Sequence, residues 1–270
     1  MKCCPTSLRE ALELRAETDL IPYAGGTDLM IQNRPNAEYL FLNRVPELRQ
    51  ITADEEYIRI GAAVSFSEAM ESEFVPPLLK EAAAHIAAPA IRNAGTFGGN
   101  LANGSVKADT VVAELAADAK VRLVSLRGER LLEIDQFCLP HRMRDLAGDE
   151  LISEILMPKT GLENYYYEKV GGRNALAISR VSFAGVFSEE DSRITKAAAA
   201  FGAVSDSFLR FRDLEAMLIG KTVDEAKNMK TAYLNAYAEK LILTGGRVSA
   251  EYRRAVCVNL LNAFLDKFGI

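Results

Sequence analysis

Two glycine clusters constrain this chain more than anything else in its sequence. Residues 91–109 read IRNAGTFGGNLANGSVKAD, with Gly95, Gly98 and Gly99 inside five positions, and residues 21–30 read IPYAGGTDLM, with Gly25, Gly26, Thr27 and Asp28 after a strand-like run. Glycine reaches φ > 0 without steric penalty and lets a ligand approach the backbone, but it loses conformational entropy on folding. One such pair reads equally well as a tight turn. Two clusters of the same chemistry, each with a hydroxyl beside it (Thr27, Thr96), predict a shared anionic ligand, because successive backbone N–H groups in a glycine turn form a concave nest. A diphosphate fits such a nest. No G-x-G-x-x-G occurs in either cluster, and IGKT at 219–222 has Glu215 where a P-loop needs its first glycine.

At 270 residues the chain can build a sizeable core and is expected to form two domains. Its 49% hydrophobic and 26% charged residues are ordinary for a globular protein, and a net charge of −5 argues against a nucleic-acid surface. No apolar run approaches the roughly 20 residues of a membrane span, and MKCCPTSLREALELR lacks a basic-then-apolar leader, so a soluble cytoplasmic protein is expected. Cys3, Cys4, Cys138 and Cys257 make no C-x-x-C pair, and His85 and His141 stand outside any H-E-x-x-H. Both histidines read as surface or helix residues. The chain offers no metal or iron–sulfur motif and no Ser-His-Asp arrangement, and no catalytic side chain is expected.

Ser7 and Glu10 read as a capping box opening a helix, as do Ser65 and Glu68. Strands are expected at Leu20–Ala24, Tyr39–Asn43, Tyr57–Ile60, Lys120–Val124, Leu131–Ile134 and Glu150–Leu156, with a turn at Arg127–Glu129. Helices are expected at 76–88 and at Thr110–Ala117, with 91–109 as the loop between them. The domain boundary is placed at Pro158–Asn164, giving domains 1–160 and 161–270. Beyond it, Ala177–Phe187 and Ile194–Val204 read as antiparallel strands around EEDSR, followed by helices at Phe211–Ile219, Val223–Leu243 and Ala250–Lys267. The fold class is α+β.

The pair AGGTDL at 24–29 and IRNAGTFGGNLANGSVKAD at 91–109, with SLREAL, IRIGAAVSFSEAM and YEKVGGRNALAISRVSFAG as flanks, resembles the flavoprotein subunit of the molybdenum hydroxylases, the xanthine dehydrogenase and carbon monoxide dehydrogenase family. The resemblance covers nearly the whole chain. It implies an FAD-binding domain of the vanillyl-alcohol oxidase-like (PCMH) type, followed by a smaller α+β domain with an antiparallel sheet and three helices. It implies that the FAD diphosphate lies against Ala24, Gly25, Gly26, Thr27, Asp28 and Leu29 and against Thr96, Gly98, Gly99 and Asn100. It further implies that Asp109 hydrogen-bonds the polyol region of the flavin, an alternative being a helix N-cap ahead of TVVAELAA. Lys169 matches a basic residue that approaches the flavin from the opposite side, its alternative being a solvated lysine at a strand end. The chain departs from the family in having Val106 after Ser105, where Ser-Pro is common.

The function implied is electron transfer: a subunit that takes electrons from [2Fe-2S] clusters of a partner, beside a molybdopterin subunit that oxidises the substrate, and passes them to NAD or another acceptor. Asn174, Ala175 and Leu176 stand where NAD-dependent relatives carry an acidic pair, which weakens NAD as the acceptor. Two other classes use similar loops, a stand-alone flavin oxidase and a non-catalytic nucleotide-binding module. The C-terminal part is short for an oxidase's substrate domain, and a binding module would be colourless.

Overall fold

The computed structural model describes residues 3–32 and 34–270. Helix α1 (Leu8–Glu17) begins at Ser7, whose side chain accepts from the Glu10 amide at 3.2 Å. The expected capping box is only half formed, because the Glu10 carboxylate accepts from the Thr6 amide instead. The helix buries Ala11 and Leu12 in a small core with Leu20, Leu40 and Leu42. Leu20 precedes β1 (Ile21–Tyr23), and Leu40 and Leu42 lie in and just after β2 (Tyr39–Phe41); the two strands pair in parallel, β1 shorter than expected at both ends and β2 at its C-terminal end. The AGG turn, with Gly26 at φ +68°, follows directly on β1.

A five-stranded sheet follows, built from β3 (Ile51–Ala53), β4 (Tyr57–Gly61), β5 (Lys120–Ser125), β6 (Gly128–Glu133) and β7 (Leu151–Pro158) in the order β3-β4-β7-β5-β6. Every neighbouring pair is antiparallel. β3 was not expected, and the strand expected at Leu131–Ile134 begins earlier, at Gly128. Between β4 and β5 lie α2 (Phe66–Glu71), α3 (Pro77–Ala84), α4 (Pro89–Ala94), α5 (Phe97–Asn103) and α6 (Asp109–Ala116); a single turn, α7 (Ile134–Phe137), precedes β7. Ser65 and Glu68 do form the full capping box of α2. The helix expected over 76–88 stops at Ala84, and the loop expected over 91–109 is a correction: most of it is helical. Phe97 and Leu101, one turn apart on α5, are both buried, so tertiary packing outweighs the poor helix propensity of Gly98 and Gly99.

The last 110 or so residues form a second antiparallel sheet, β8 (Asn164–Val170), β9 (Val181–Glu190), β10 (Arg193–Gly202) and β11 (Leu209–Arg210), in the order β11-β10-β9-β8. β8 and β11 were not expected. Asp191 and Ser192 turn β9 into β10, both with positive φ as a two-residue type I′ hairpin requires. Alternation along β9 explains why it is buried on both faces: Val181, Phe183 and Phe187 face one core, Ala184 and Val186 the other. The first of these cores is closed by α9 (Val223–Lys240) and α10 (Ala250–Lys267), the latter with the expected bounds. The segment Phe211–Ile219 holds only one helical turn, α8 (Arg212–Glu215).

On its other face the second sheet shares a core with the first. Helix α6 packs between them, so Val111, Val112 and Leu115 share a core with Tyr167, Ala184, Val186, Ala198 and Ala200 as well as with Ile60, Val121 and Ile155. Among the described residues no helix is long and apolar enough to cross a membrane.

Candidate cofactor site

The first wall of the site is the loop that leaves β1. A Cβ on Gly25 would lie 1.9 Å from the Ala94 carbonyl oxygen, so only glycine allows this loop to press against the end of α4. The loop then coils over Thr27–Leu29, closed by a Met30 N–H to Gly26 carbonyl bond of 3.0 Å. The second wall is α5, capped by Thr96, whose hydroxyl accepts from the Gly99 amide at 3.1 Å. Gly98 and Gly99 have helical backbone, so left-handed freedom is not what they supply, contrary to the reading of the cluster as a turn. A Cβ on Gly98 would stand 2.5 Å from that of Ala62, so this glycine lets α5 pack on the chain leaving β4. Gly99 is exposed, and its Cβ would meet only the Thr96 hydroxyl at 2.9 Å. The walls are joined by Asn103, whose side-chain amide donates to the Asp28 carboxylate at 2.5 Å.

Between the walls lies a cavity of about 620 Å³, inside the ~300–1,000 Å³ range of small-molecule and cofactor sites. Ala24, Gly25, Gly26, Thr27, Asp28, Leu29, Thr96, Gly98, Gly99 and Asn100 all line it. Among the described residues, the amides of Gly25, Gly26, Thr27, Asp28 and Leu29 donate to no oxygen. Five consecutive donors without acceptors on a cavity wall fit an anionic group, since backbone N–H groups seldom stay unpaired without water or ligand. Arg15, Arg34, Arg142 and Arg144 also line the cavity, and none forms an ion pair among the described residues. The Arg15 Nε is buried without a partner. These arginines were missed from sequence; the only local signal was the charge density of HRMRD at 141–145.

Asp109 and Lys169 do not line this cavity. They meet each other: the Lys169 Nζ donates to Asp109 Oδ2 at 2.6 Å and to the His85 carbonyl at 2.8 Å, with both side chains only 7% exposed. The Ser179 hydroxyl donates to Asp109 Oδ1 at 2.5 Å. Burial pushes the Asp109 carboxyl above its ordinary value, against the pull of Lys169 and Ser179. The N-cap alternative for Asp109 is corrected as well, since Ala108 occupies the cap and Asp109 is the first residue of α6. Lys169 is likewise no solvated strand end. One bond ties this cluster to the cavity wall, from the Asn100 side-chain amide to the Thr110 hydroxyl at 2.7 Å.

One turn further along α6, Glu114 is fully buried with neither carboxyl oxygen hydrogen-bonded, and burial raises its pKa to about 8. His85 caps the C-terminal end of α3 with an exposed ring, and His141 is exposed beside Asp206.

A closed pair of glycine walls, a run of unpaired amides and a mixed sheet-and-helix scaffold describe a protein that holds an extended anionic cofactor. Comparison with known proteins narrows this. Residues 2–160 match the family described as the FAD binding domain in molybdopterin dehydrogenase, and residues 165–268 match the CO dehydrogenase flavoprotein C-terminal domain. The chain is 32% identical over 232 residues to the nicotinate dehydrogenase FAD-subunit of Eubacterium barkeri, covering 80% of this chain and 78% of that one. It is 28% identical over 275 residues to the nicotine 6-hydroxylase medium subunit of Paenarthrobacter nicotinovorans, covering 98% and 95%. Carbon monoxide dehydrogenase of Hydrogenophaga pseudoflava superimposes with a TM-score of 0.89 at 28% identity, over 98% of this chain and 95% of that one. The chain belongs to the FAD-binding flavoprotein subunits of the molybdenum hydroxylase family of oxidoreductases.

Proposed function

We propose that the chain holds FAD in the cavity between the Gly25–Leu29 loop and α5 and serves as the electron-transfer subunit of a cytoplasmic molybdenum hydroxylase complex. It takes electrons from the [2Fe-2S] clusters of a partner subunit, beside a molybdopterin subunit, and delivers them to NAD or another acceptor. Residues 1–160 form the cofactor-bearing domain and 161–270 a second domain seated on it through α6. The observation that carries this reading is the run of five unpaired amides on the cavity wall.

Flavin, when bound, supplies the redox chemistry, and the protein supplies binding, orientation and electrostatics. The amides of Gly25 to Leu29 and the hydroxyls of Thr27 and Thr96 would hold the phosphates of the bound dinucleotide. Gly98 lets α5 pack against Ala62, Gly99 leaves the adjoining cavity wall without a side chain, and Asn100 is aimed by Thr110. Asp109 and Lys169 satisfy each other, so their part in the flavin seat is to hold α6 and β8 together. The purified chain should show flavin absorption and release FAD into the supernatant on acid precipitation. A colourless protein that cannot be reconstituted overturns the proposal. The isolated chain should oxidise reduced dyes, or NADH where NAD is the acceptor, and hydroxylate nothing.

A further inference from the structure

The segment between α7 and β7 has features that cofactor binding by the two glycine walls does not explain. His141 and Arg142 both adopt left-handed backbone, φ +58° and +62°, although neither is glycine, asparagine or aspartate. Such residues cost roughly 1–3 kcal/mol each and persist only when their surroundings hold them. Here they are held at three points. Leu139 N–H bonds to the Met143 carbonyl at 3.0 Å, the Met143 N–H to the Pro140 carbonyl at 3.2 Å, and the His141 N–H to the Asp206 carbonyl at 3.0 Å. The His141 ring lies 3.2 Å from the Asp206 carboxylate as well.

The strained turn delivers two guanidinium groups to one place. Arg142 and Arg144 both line the cavity, on the side of Asn103, the residue that fastens the Asp28 loop to α5. The Arg142 guanidinium reaches only the Asn103 carbonyl and side-chain oxygen, at 3.5 and 3.4 Å, and Arg144 only the Arg142 carbonyl, at 2.9 Å. Gly104, in left-handed conformation at the end of α5, makes room for them: a Cβ there would lie 2.6 Å from the Arg142 carbonyl oxygen and 2.9 Å from the Arg144 Cδ. Other arginines near this segment are bound to acids, as Arg130 is to Asp145 and Glu150 and Arg127 to Asp149. Two exposed guanidiniums, positioned at a conformational cost, left without a carboxylate and set beside five unpaired amides, are arranged for an anion.

We propose that Arg142 and Arg144 form an arm that clamps the phosphates of the bound dinucleotide against the Gly25–Leu29 amides, making this chain select FAD over phosphate-free flavin. The inference rests on the FAD reading above. The arm is anchored through His141 to Asp206, so clamping also links the cofactor to the loop between β10 and β11. Guanidinium is suited to the task because its fork pairs two phosphate oxygens at once.

The test is equilibrium binding of FAD and of riboflavin to the cofactor-stripped full-length chain, for wild type, the double variant Arg142→Gln with Arg144→Gln, and the double variant with lysine at both positions. The glutamine variant should bind FAD about 10- to 100-fold more weakly, as expected for losing charge-assisted bonds, and riboflavin unchanged. The lysine variant should recover part of the loss, and raising the salt concentration should weaken FAD binding more in wild type than in the glutamine variant. Equal FAD affinity for wild type and the glutamine variant, or a parallel loss for riboflavin, overturns the clamp while leaving the FAD site standing. Wild type that binds neither flavin overturns the FAD reading itself. An unchanged far-ultraviolet circular dichroism spectrum confirms that the variants fold.

Discussion

Gly99 separates a structural from a ligand-binding reason for the second glycine cluster, and Gly99→Val is the sharpest perturbation. Without cofactor the substitution should be nearly silent. Valine is better than glycine inside a helix by roughly 0.4 kcal/mol, whereas crowding the Thr96 hydroxyl, 2.9 Å from the new Cβ, forfeits at most the ~1 kcal/mol of an N-cap bond. The net loss is below about 1 kcal/mol, a Tm change of roughly 2–4 °C for a chain of this size. The effect on ligand binding should be large, because the side chain projects from an exposed helix position into the cavity beside Asn100. At FAD concentrations of about 100 times Kd, wild type gains ~2.7 kcal/mol, a Tm rise of roughly 5–10 °C. Thermal denaturation with and without FAD should therefore show that rise for wild type and none for Gly99→Val. Gly25→Ala is the contrasting control: its Cβ collides with the Ala94 carbonyl at 1.9 Å, so the cofactor-free protein itself should lose about 1–3 kcal/mol. A Gly99→Val protein that melts more than about 10 °C lower without cofactor, or that keeps the full FAD-dependent rise, refutes the reasoning.

Lys169→Met should destabilise the chain by about 3–5 kcal/mol, since it strands a buried carboxylate, and adding Asp109→Asn should restore part of that in chemical denaturation. Glu114 gives a pH signature. Its folded-state pKa of about 8 lies above the ordinary 4.5, so the folded chain holds a proton that the unfolded chain releases, and stability falls as pH rises through that window. Glu114→Gln should therefore gain stability relative to wild type between pH 5 and pH 9, by a few kcal/mol at most; urea titrations at the two pH values that show a constant difference would contradict it.

What could be read from the sequence was whatever depends on near neighbours. The Ser65–Glu68 box and the bounds of α10 are local and stand where the spacing puts them, whereas β9 starts at Val181 rather than Ala177 and runs on to Glu190, and β10 ends at Gly202 rather than Val204. The glycine walls were legible as a ligand site but not in their mechanism. Gly25 and Gly98 act through close approach to Ala94 and Ala62, contacts that no local pattern encodes. The helical character of 97–103 was hidden by two glycines, although the Phe97–Leu101 spacing and the Thr96 cap carried the signal. β8 is hidden in the sequence because its YYY run alternates only once the neighbouring β9 is known. Asp109 and Lys169 are 60 positions apart, and nothing in either neighbourhood says that they pair.

Helix α6 explains how these pieces become one device. Its first turn carries Asp109, held by Lys169 of β8 and by Ser179, and Thr110, which holds Asn100 on the cavity wall. Just past its other end, Asp118 accepts from Arg210, Lys196 and Arg212, three cations of the C-terminal part that keep its carboxyl well below the ordinary range despite its burial. Arg210 reaches in turn to Glu215, which accepts the Ala199 amide of β10. Each end of α6 is thus ionically fastened to the second sheet, while its side chains fill the core shared with the first. A shift of the second sheet must move α6 or break a buried ion pair at one end of it. Movement at its N-terminal end is passed to Asn100 through a single hydrogen bond, so the cavity wall and the C-terminal sheet are coupled by rigid contacts rather than by a hinge.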